Sequence, residues 1–309
     1  MKAIQIHAYG DNDQLRYEDA PDPVAGEGEV LVRVRAAGVN PVDWKIVRGY
    51  LSGFLPHALP LVPGWDVAGE VVARGHAARR FEVGDRVFAY ARRPTVQHGT
   101  YAELIALPEA YLAPMPATAS FEQAAAIPLA GLTSWQALVD LAKLQSGERA
   151  LILGASGGTG AFAVQIARMI GAHAFGVASA ASADFVRDLG ATPIAYDAPD
   201  YLDQLAALKA DVIYDCIGGE TLARAAAALK PGGRVVSITT SKPPEPYAGA
   251  HYQYHFVEPN AAQLQTLAQA FDRGALSVHI HQTFPLARAA DALAASERLH
   301  TRGKIVLIP

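Results

Sequence analysis

The chain has 309 residues, 51% hydrophobic and 18% charged, with a formal net charge of -4. That length is enough for about two domains, the composition argues against disorder, and without a basic excess nothing points to nucleic acid. The only cysteine, Cys216, excludes an intramolecular disulfide and a cysteine-rich zinc site. The ten histidines are scattered, no apolar run is long enough to span a bilayer, and the first six residues alternate like a strand instead of forming a signal-peptide core. A metal-free, cytoplasmic protein is expected.

Residues 1–118 read as mostly β. Val30, Val32 and Val34 alternate with Leu31, Arg33 and Arg35, residues 67–73 form a second strand, and Gly84-Asp85 turns into a third at 86–89. Frequent prolines and glycines between short strands predict a barrel-like β domain. The pattern becomes helical from Phe121, at 124–126 and then 134–144. After Gly147, strands (150–153, 174–178, 193–196, 211–215, 234–238) alternate with helices (160–170, 183–189, 201–208, 221–229), which predicts a parallel sheet with helices on both faces. A strand at 252–257 should be the last of that sheet. A helix from Pro259-Asn260 to Gly274, a short helix at 288–299 and a strand at 305–308 should return to the first domain. The expected division is therefore α/β: 1–119 with 259–309 as one domain, and 120–258 as a nucleotide-binding domain inserted into it.

The strongest local motif is Leu151-Ile152-Leu153-Gly154-Ala155-Ser156-Gly157-Gly158-Thr159-Gly160. An apolar strand precedes it and an apolar-faced helix follows. Gly157 removes a side chain where backbone must approach a pyrophosphate, Gly160 lets helix and strand pack closely, and the helix N-terminus offers free N–H groups. Ala155 stands where the strict dinucleotide pattern has its first glycine. In NAD enzymes an acid usually ends the second strand, about 20 residues on. Here that strand ends in Ser179-Ala180-Ala181-Ser182, with no acid at its tip, which permits NADPH; Asp184 lies nearby and the next basic residue is Arg187.

The chain resembles the medium-chain dehydrogenase/reductase superfamily, in its zinc-independent quinone oxidoreductase branch. The resemblance runs nearly end to end. It is carried by residues 37–45 (Ala-Gly-Val-Asn-Pro-Val-Asp-Trp-Lys), 62–69 (Val-Pro-Gly-Trp-Asp-Val-Ala-Gly), 83–87, 99–103, 125–133, the glycine turn and Gly303-Lys304-Ile305-Val306. It implies a GroES-like β-barrel catalytic domain and a Rossmann domain. The zinc alcohol dehydrogenases of the superfamily carry a cysteine ligand where this chain has the 40–43 segment, and Gly-His-Glu where it has Gly64-Trp65-Asp66. Without Zn²⁺ no Lewis acid ionises an alcohol, so the resemblance implies NADPH-dependent reduction of a quinone or an α,β-unsaturated carbonyl. An NADP-dependent alcohol or sugar dehydrogenase with a nonstandard site, and a nonenzymatic NADPH-binding protein, stay open.

The resemblance also implies site residues. Tyr196 matches a tyrosine that meets the adenosine 2′-phosphate, Ser179 the second-strand serine beside it, Thr133 a residue at the nicotinamide end, and Lys304 a basic position near the cofactor. The loops 216–219, with Cys216 and Ile217, and 237–240, with Ser237, Ile238 and Thr239, follow strands at whose ends such sheets bind ligands; Cys216 itself reads as packing, not a nucleophile. In the enone reductases this chain resembles, a lysine like Lys45 is implicated near the substrate carbonyl, so Lys45 is the candidate donor to the developing oxyanion. Asn40 could orient substrate or nicotinamide ribose, or cap a turn. Asp43 should hold local backbone. Tyr50, Tyr90 and Tyr252 are alternative proton donors, and Lys143 should sit on a remote helix. A homodimer through the edge of the nucleotide-domain sheet is expected.

Overall fold

The computed structural model describes residues 1–247, 249–298 and 301–309. The chain divides into two compact units, Met1–Leu132 with Glu258–Pro309, and Thr133–Val257.

In the first unit, β1 (Lys2–Gln5) and β2 (Arg16–Asp19) form a small antiparallel ribbon. The main sheet is built on β3 (Glu29–Val39), whose Val30, Val32 and Val34 are buried while Arg33 and Arg35 face solvent, the two-residue alternation of a half-buried strand. Helix α1 (Pro41–Val47) follows directly. Pro41 suits its first turn because that position has no intrahelical N–H partner to lose. Strands β4 (His57–Val62), β5 (Asp66–Arg74), β6 (Arg86–Tyr90), β7 (Val96–His98), β8 (Leu104–Pro108) and β9 (Leu112–Pro114) come next. Helix α2 (Phe121–Ala125) starts at Ser120, whose Oγ accepts from Gln123 N–H, and packs on β3 and β5. That packing is why the division falls at Leu132/Thr133, later than the 119/120 boundary expected. Helix α3 (Pro128–Trp135) continues as a π-helical segment, Gln136–Leu141. The expected helix over 134–144 is thus shifted. Lys143 lies beyond it in a left-handed conformation (φ 50°), not on a helix.

The second unit holds β10 (Arg149–Leu153), α4 (Gly158–Ile170), β11 (His173–Ala178), α5 (Ala183–Asp188), β12 (Thr192–Ala195), α6 (Tyr201–Leu208), β13 (Ala210–Asp215), α7 (Gly219–Ala225), β14 (Leu229–Ser237) and β15 (His251–Tyr254). The six strands are parallel in the order β12-β11-β10-β13-β14-β15. That is the doubly wound order 3-2-1-4-5-6 of dinucleotide-binding sheets, and ligands meet it at the carboxyl ends of the strands. Leu151, Leu153, Ile213, Val235, Leu205 and Leu222 share one buried cluster of this unit. The last strand ends at Tyr254, short of the expected 257.

The tail adds α8 (Ala261–Asp272), β16 (Ile280–Pro285), α9 (Ala289–Glu297) and β17 (Lys304–Ile308). Strand β17 pairs antiparallel with β3, Ile305 opposite Val39, and with β16 extends the main sheet to the order β16-β17-β3-β5-β6-β9. No helix among the described residues is long and apolar enough to cross a membrane.

Candidate active site

In the second unit the glycine turn links β10 to α4. Gly154 adopts φ 78°, and a Cβ there would come within 2.8 Å of the Ile217 side chain. A Cβ on Gly160 would stand 2.1 Å from the Gly154 carbonyl oxygen, so helix and turn meet only because the residue is glycine. A Cβ on Gly157 would meet only the Gly154 carbonyl oxygen, at an ordinary contact distance of 3.4 Å, so the turn is not crowded by other groups at that point. The first-turn N–H groups of Gly158, Thr159 and Gly160 make no backbone hydrogen bond among the described residues, and they carry the partial positive charge of a 13-residue helix. The turn fits a pyrophosphate. Ala155 does not belong to that surface. It is fully buried, its N–H donates to Val177 O, and its methyl packs against Gly176 of β11.

The adjacent strand ends bring Ser179 and Tyr196 together. Ala178 and Ala195 are register partners, and Tyr196 N–H donates to Ala178 O at 3.0 Å. Tyr196 is 50% exposed. Ser179 Oγ donates to Ser182 Oγ at 3.3 Å. The sequence reading misses Asp197, whose Oδ1 accepts from the Ala180 N–H at 2.8 Å. An acid thus does stand at the tip of the second strand, delivered from the third. Arg187 forms an ion pair with Asp184, both exposed.

Asp215, which ends β13, is also missed. It is fully buried and accepts four hydrogen bonds: Ile217 N–H at 3.0 Å, Gly218 N–H at 2.7 Å, Ser237 Oγ at 2.7 Å and Thr239 Oγ1 at 2.8 Å. Ser237 Oγ in turn accepts from Thr239 N–H and Thr240 N–H. One carboxylate therefore ties the 216–219 loop to the 237–240 loop. Ile238 N–H donates to Asp215 O. These N–H groups are engaged inward, while the Ile217 side chain is half-exposed. The Cys216 thiol is pushed up by burial and by Asp215 beside it, as a packing residue should be. Thr133 is buried on α3. The Tyr252 hydroxyl is committed to Thr240 O at 2.8 Å, which removes it as a proton donor.

In the first unit, residues far apart in sequence form one buried polar cluster. Asn40 N–H and Tyr101 O–H donate to Asp43 Oδ2 at 2.8 and 2.7 Å. Asn40 Nδ2 and Leu129 N–H donate to the two oxygens of Asp66 at 2.8 and 2.7 Å. Lys304 Nζ donates to Val39 O at 3.0 Å and to Asn40 Oδ1, and stands 3.6 Å from Asp66 Oδ2. Burial pushes Asp43 up to about 7 and Asp66 upward, and lowers Lys304. Two expected roles are corrected here. Lys304 is 4% exposed, its ammonium engaged inside this unit rather than offered to a cofactor. Asn40 has both ends of its amide bound, so it holds the cluster rather than a substrate. Asp43 does hold local backbone, as expected.

Lys45 differs from Lys304. It lies half-buried on α1 with its ammonium 5.4 Å from the centre of the Trp44 ring, and that ammonium makes no hydrogen bond or ion pair among the described residues. Burial lowers its pKa. Tyr50 is 67% exposed, edge-on to Trp44, whereas Tyr90 is fully buried with its phenol pushed well up by burial.

His251 and His255 carry a four-residue spacing that the sequence reading passes over. Strand β15 puts the segment from His251 to Tyr254 in extended backbone, where residues four apart are separated by roughly 13 Å, too far to share a metal.

The comparisons agree with this architecture. The family described as "Alcohol dehydrogenase GroES-like domain" matches residues 26–117, and "Zinc-binding dehydrogenase" matches residues 189–307. A quinone oxidoreductase of Pseudomonas aeruginosa is 35% identical, with 100% of this chain and 99% of the relative covered. The chain belongs to the medium-chain dehydrogenase/reductase superfamily, in its quinone oxidoreductase branch. A chloroplast envelope quinone oxidoreductase homolog of Arabidopsis thaliana is 33% identical over 100% of this chain and 98% of the relative. Among solved structures, an NAD-dependent alcohol dehydrogenase superposes with a TM-score of 0.91 at 30% identity over the whole of both chains. A mycobacterial protein solved with NADPH gives 0.86 at 27%, again over both chains. The GroES-like and Rossmann domains implied by the sequence are those of the superfamily.

Proposed function

We propose that this protein is an NADPH-dependent oxidoreductase that passes a hydride to a quinone or an α,β-unsaturated carbonyl without zinc. The observation that carries the reading is the first turn of α4, whose Gly158, Thr159 and Gly160 N–H groups make no backbone hydrogen bond among the described residues, in a sheet of dinucleotide-binding order. Quinone oxidoreductases among the relatives supply the substrate class. When bound, NADPH supplies the hydride. The chain's own groups hold the pyrophosphate at Gly158–Gly160, place Ser179 and Tyr196 at the adenosine end, and offer the Lys45 ammonium to the carbonyl oxygen as negative charge builds there.

A zinc ion is a poor fit to the first-unit cluster. Trp65 replaces a nitrogen ligand with an indole, both Asp66 oxygens already accept hydrogen bonds, and the Lys304 ammonium stands beside them. Among the described residues no group of three His, Cys, Asp or Glu side chains converges as a metal site. Absorbance loss of NADPH on adding a quinone or an enone tests the reading. No oxidation with any member of either class, together with oxidation of simple alcohols by NADP⁺, would overturn it. Loss of activity on chelation, restored by stoichiometric zinc, would overturn the metal-free part.

The second unit implies a cofactor preference. Ser179 and Tyr196 are neutral where a 2′-phosphate would sit, so NADPH is expected to bind more tightly than NADH. Ser179→Asp should erode the difference by adding a charge at that point. Equal dissociation constants for the wild type would contradict it. The same reading makes the protein a cytoplasmic homodimer. Strand β15 is an edge of the parallel sheet and invites a symmetry mate. Solution scattering should give twice the chain mass at micromolar concentration; a monomeric mass there would count against the dimer.

A further inference from the structure

We infer that Asp197 sets the strength of the choice between NADPH and NADH, holding the preference for the phosphorylated cofactor low. The inference rests on the reading that a dinucleotide binds at the Gly157–Gly160 turn. The usual discriminator is a carboxylate at the end of the second strand, which binds the ribose hydroxyls and repels a 2′-phosphate. Strand β11 carries none. Instead the chain leaving β12 folds over that tip: Tyr196 N–H binds Ala178 O, and one residue later the Asp197 carboxylate binds the Ala180 N–H beside Ser179.

The carboxylate does two separable things there. It accepts a hydrogen bond that fixes the Ser179–Ser182 turn, and it places a full negative charge beside Ser179. Its other oxygen makes no hydrogen bond among the described residues, and Asp197 is exposed, so it can accept from a ribose hydroxyl. The cation nearest in sequence, Arg187, cannot offset it freely because it is paired with Asp184. A 2′-phosphate brought to Ser179 and Tyr196 therefore meets an acid and no free arginine from this segment. The result is a site whose neutral side chains admit NADPH while the charge beside them narrows its advantage over NADH.

Asp197→Asn separates the two roles, because its amide oxygen still accepts from Ala180 N–H while the charge is gone. Asp197→Ala removes both. Dissociation constants for NADPH and NADH, from fluorescence titration of each folded variant, give a ratio in which any general loss of folding cancels. Both substitutions should shift that ratio toward NADPH by about tenfold at low salt, and the shift should shrink as salt screens the charge. A ratio within twofold of the wild type in Asp197→Asn, whether or not Asp197→Ala changes it, would reduce Asp197 to a turn cap and overturn the inference. A wild type that binds neither cofactor would instead remove the underlying reading, and the inference with it.

Discussion

Lys45→Met is expected to lower turnover of an enone or quinone with NADPH by about a hundredfold or more, the usual cost of one preorganised donor to a developing oxyanion. NADPH affinity should stay near the wild-type value, because the groups assigned to the pyrophosphate belong to the second unit. The stability readout is what separates this from simple damage. Lys45 is half-buried with no acceptor among the described residues, and burial lowers its pKa. An ammonium in that state is held at a cost, which an apolar side chain of similar length relieves. The variant should therefore melt no lower than the wild type while losing turnover. Lys143→Met, at an exposed lysine of the second unit, should leave turnover unchanged. Near-normal turnover in Lys45→Met, measured where a deuterium isotope effect shows hydride transfer to be rate-limiting, would make Lys45 an ordinary lysine resting on an indole. The donor would then be sought in Tyr50 or an ordered water. Asn40 is buried, with its amide oxygen and nitrogen each already bonded, and Tyr90 is fully buried.

The features legible in the sequence are those that neighbouring residues decide. The alternation of Val30, Val32 and Val34 decides which face of β3 is buried, and the spacing of Gly154, Gly157 and Gly160 between apolar strand and helix decides the turn. The residues missed or given the wrong role act across the fold. Asp197 acts on a residue 17 positions away, Asp215 on one 24 away, and Lys304 on Asn40 from 264 away. Asp215 left a local trace, a carboxylate closing the apolar strand 211–215 just before Gly218-Gly219, where buried charge demands donors. Lys304 left a misleading one. A lysine beside a glycine near the chain end reads as surface or cofactor contact, and only the pairing of β17 with β3 turns it inward to Asp66. Asn40 was misread for the same reason: its two amide partners arrive from β5 and β17.

Lys304→Met is expected to be the most destabilising of these substitutions, by about 3–5 kcal/mol, the cost of breaking a buried ion pair from one side. Asp66 is fully buried. After the substitution it would keep its bonds from Asn40 and Leu129 but lose the nearby ammonium, while Val39 O and Asn40 Oδ1 would lose their donor. The loss should depend on pH in a defined direction. Asp66 already has a raised folded-state pKa, from burial first, with Lys304 the largest effect opposing it. Removing Lys304 raises it further. A carboxyl whose folded pKa exceeds its unfolded value contributes stability at low pH that is lost as pH rises through the folded pKa. The variant should thus lie closer to the wild type at pH 5 than at pH 8. Adding Asp66→Asn removes the charge left behind and should recover part of the loss, most of it at the higher pH. Urea unfolding followed by tryptophan fluorescence, in a Trp135→Phe background that removes the one tryptophan of the second unit, reports on this unit through Trp44 and Trp65. A midpoint for Lys304→Met that matches the wild type at pH 8 would mean that the ammonium does not hold Asp66 in place, and the cluster would have to be stabilised by its neutral hydrogen bonds alone.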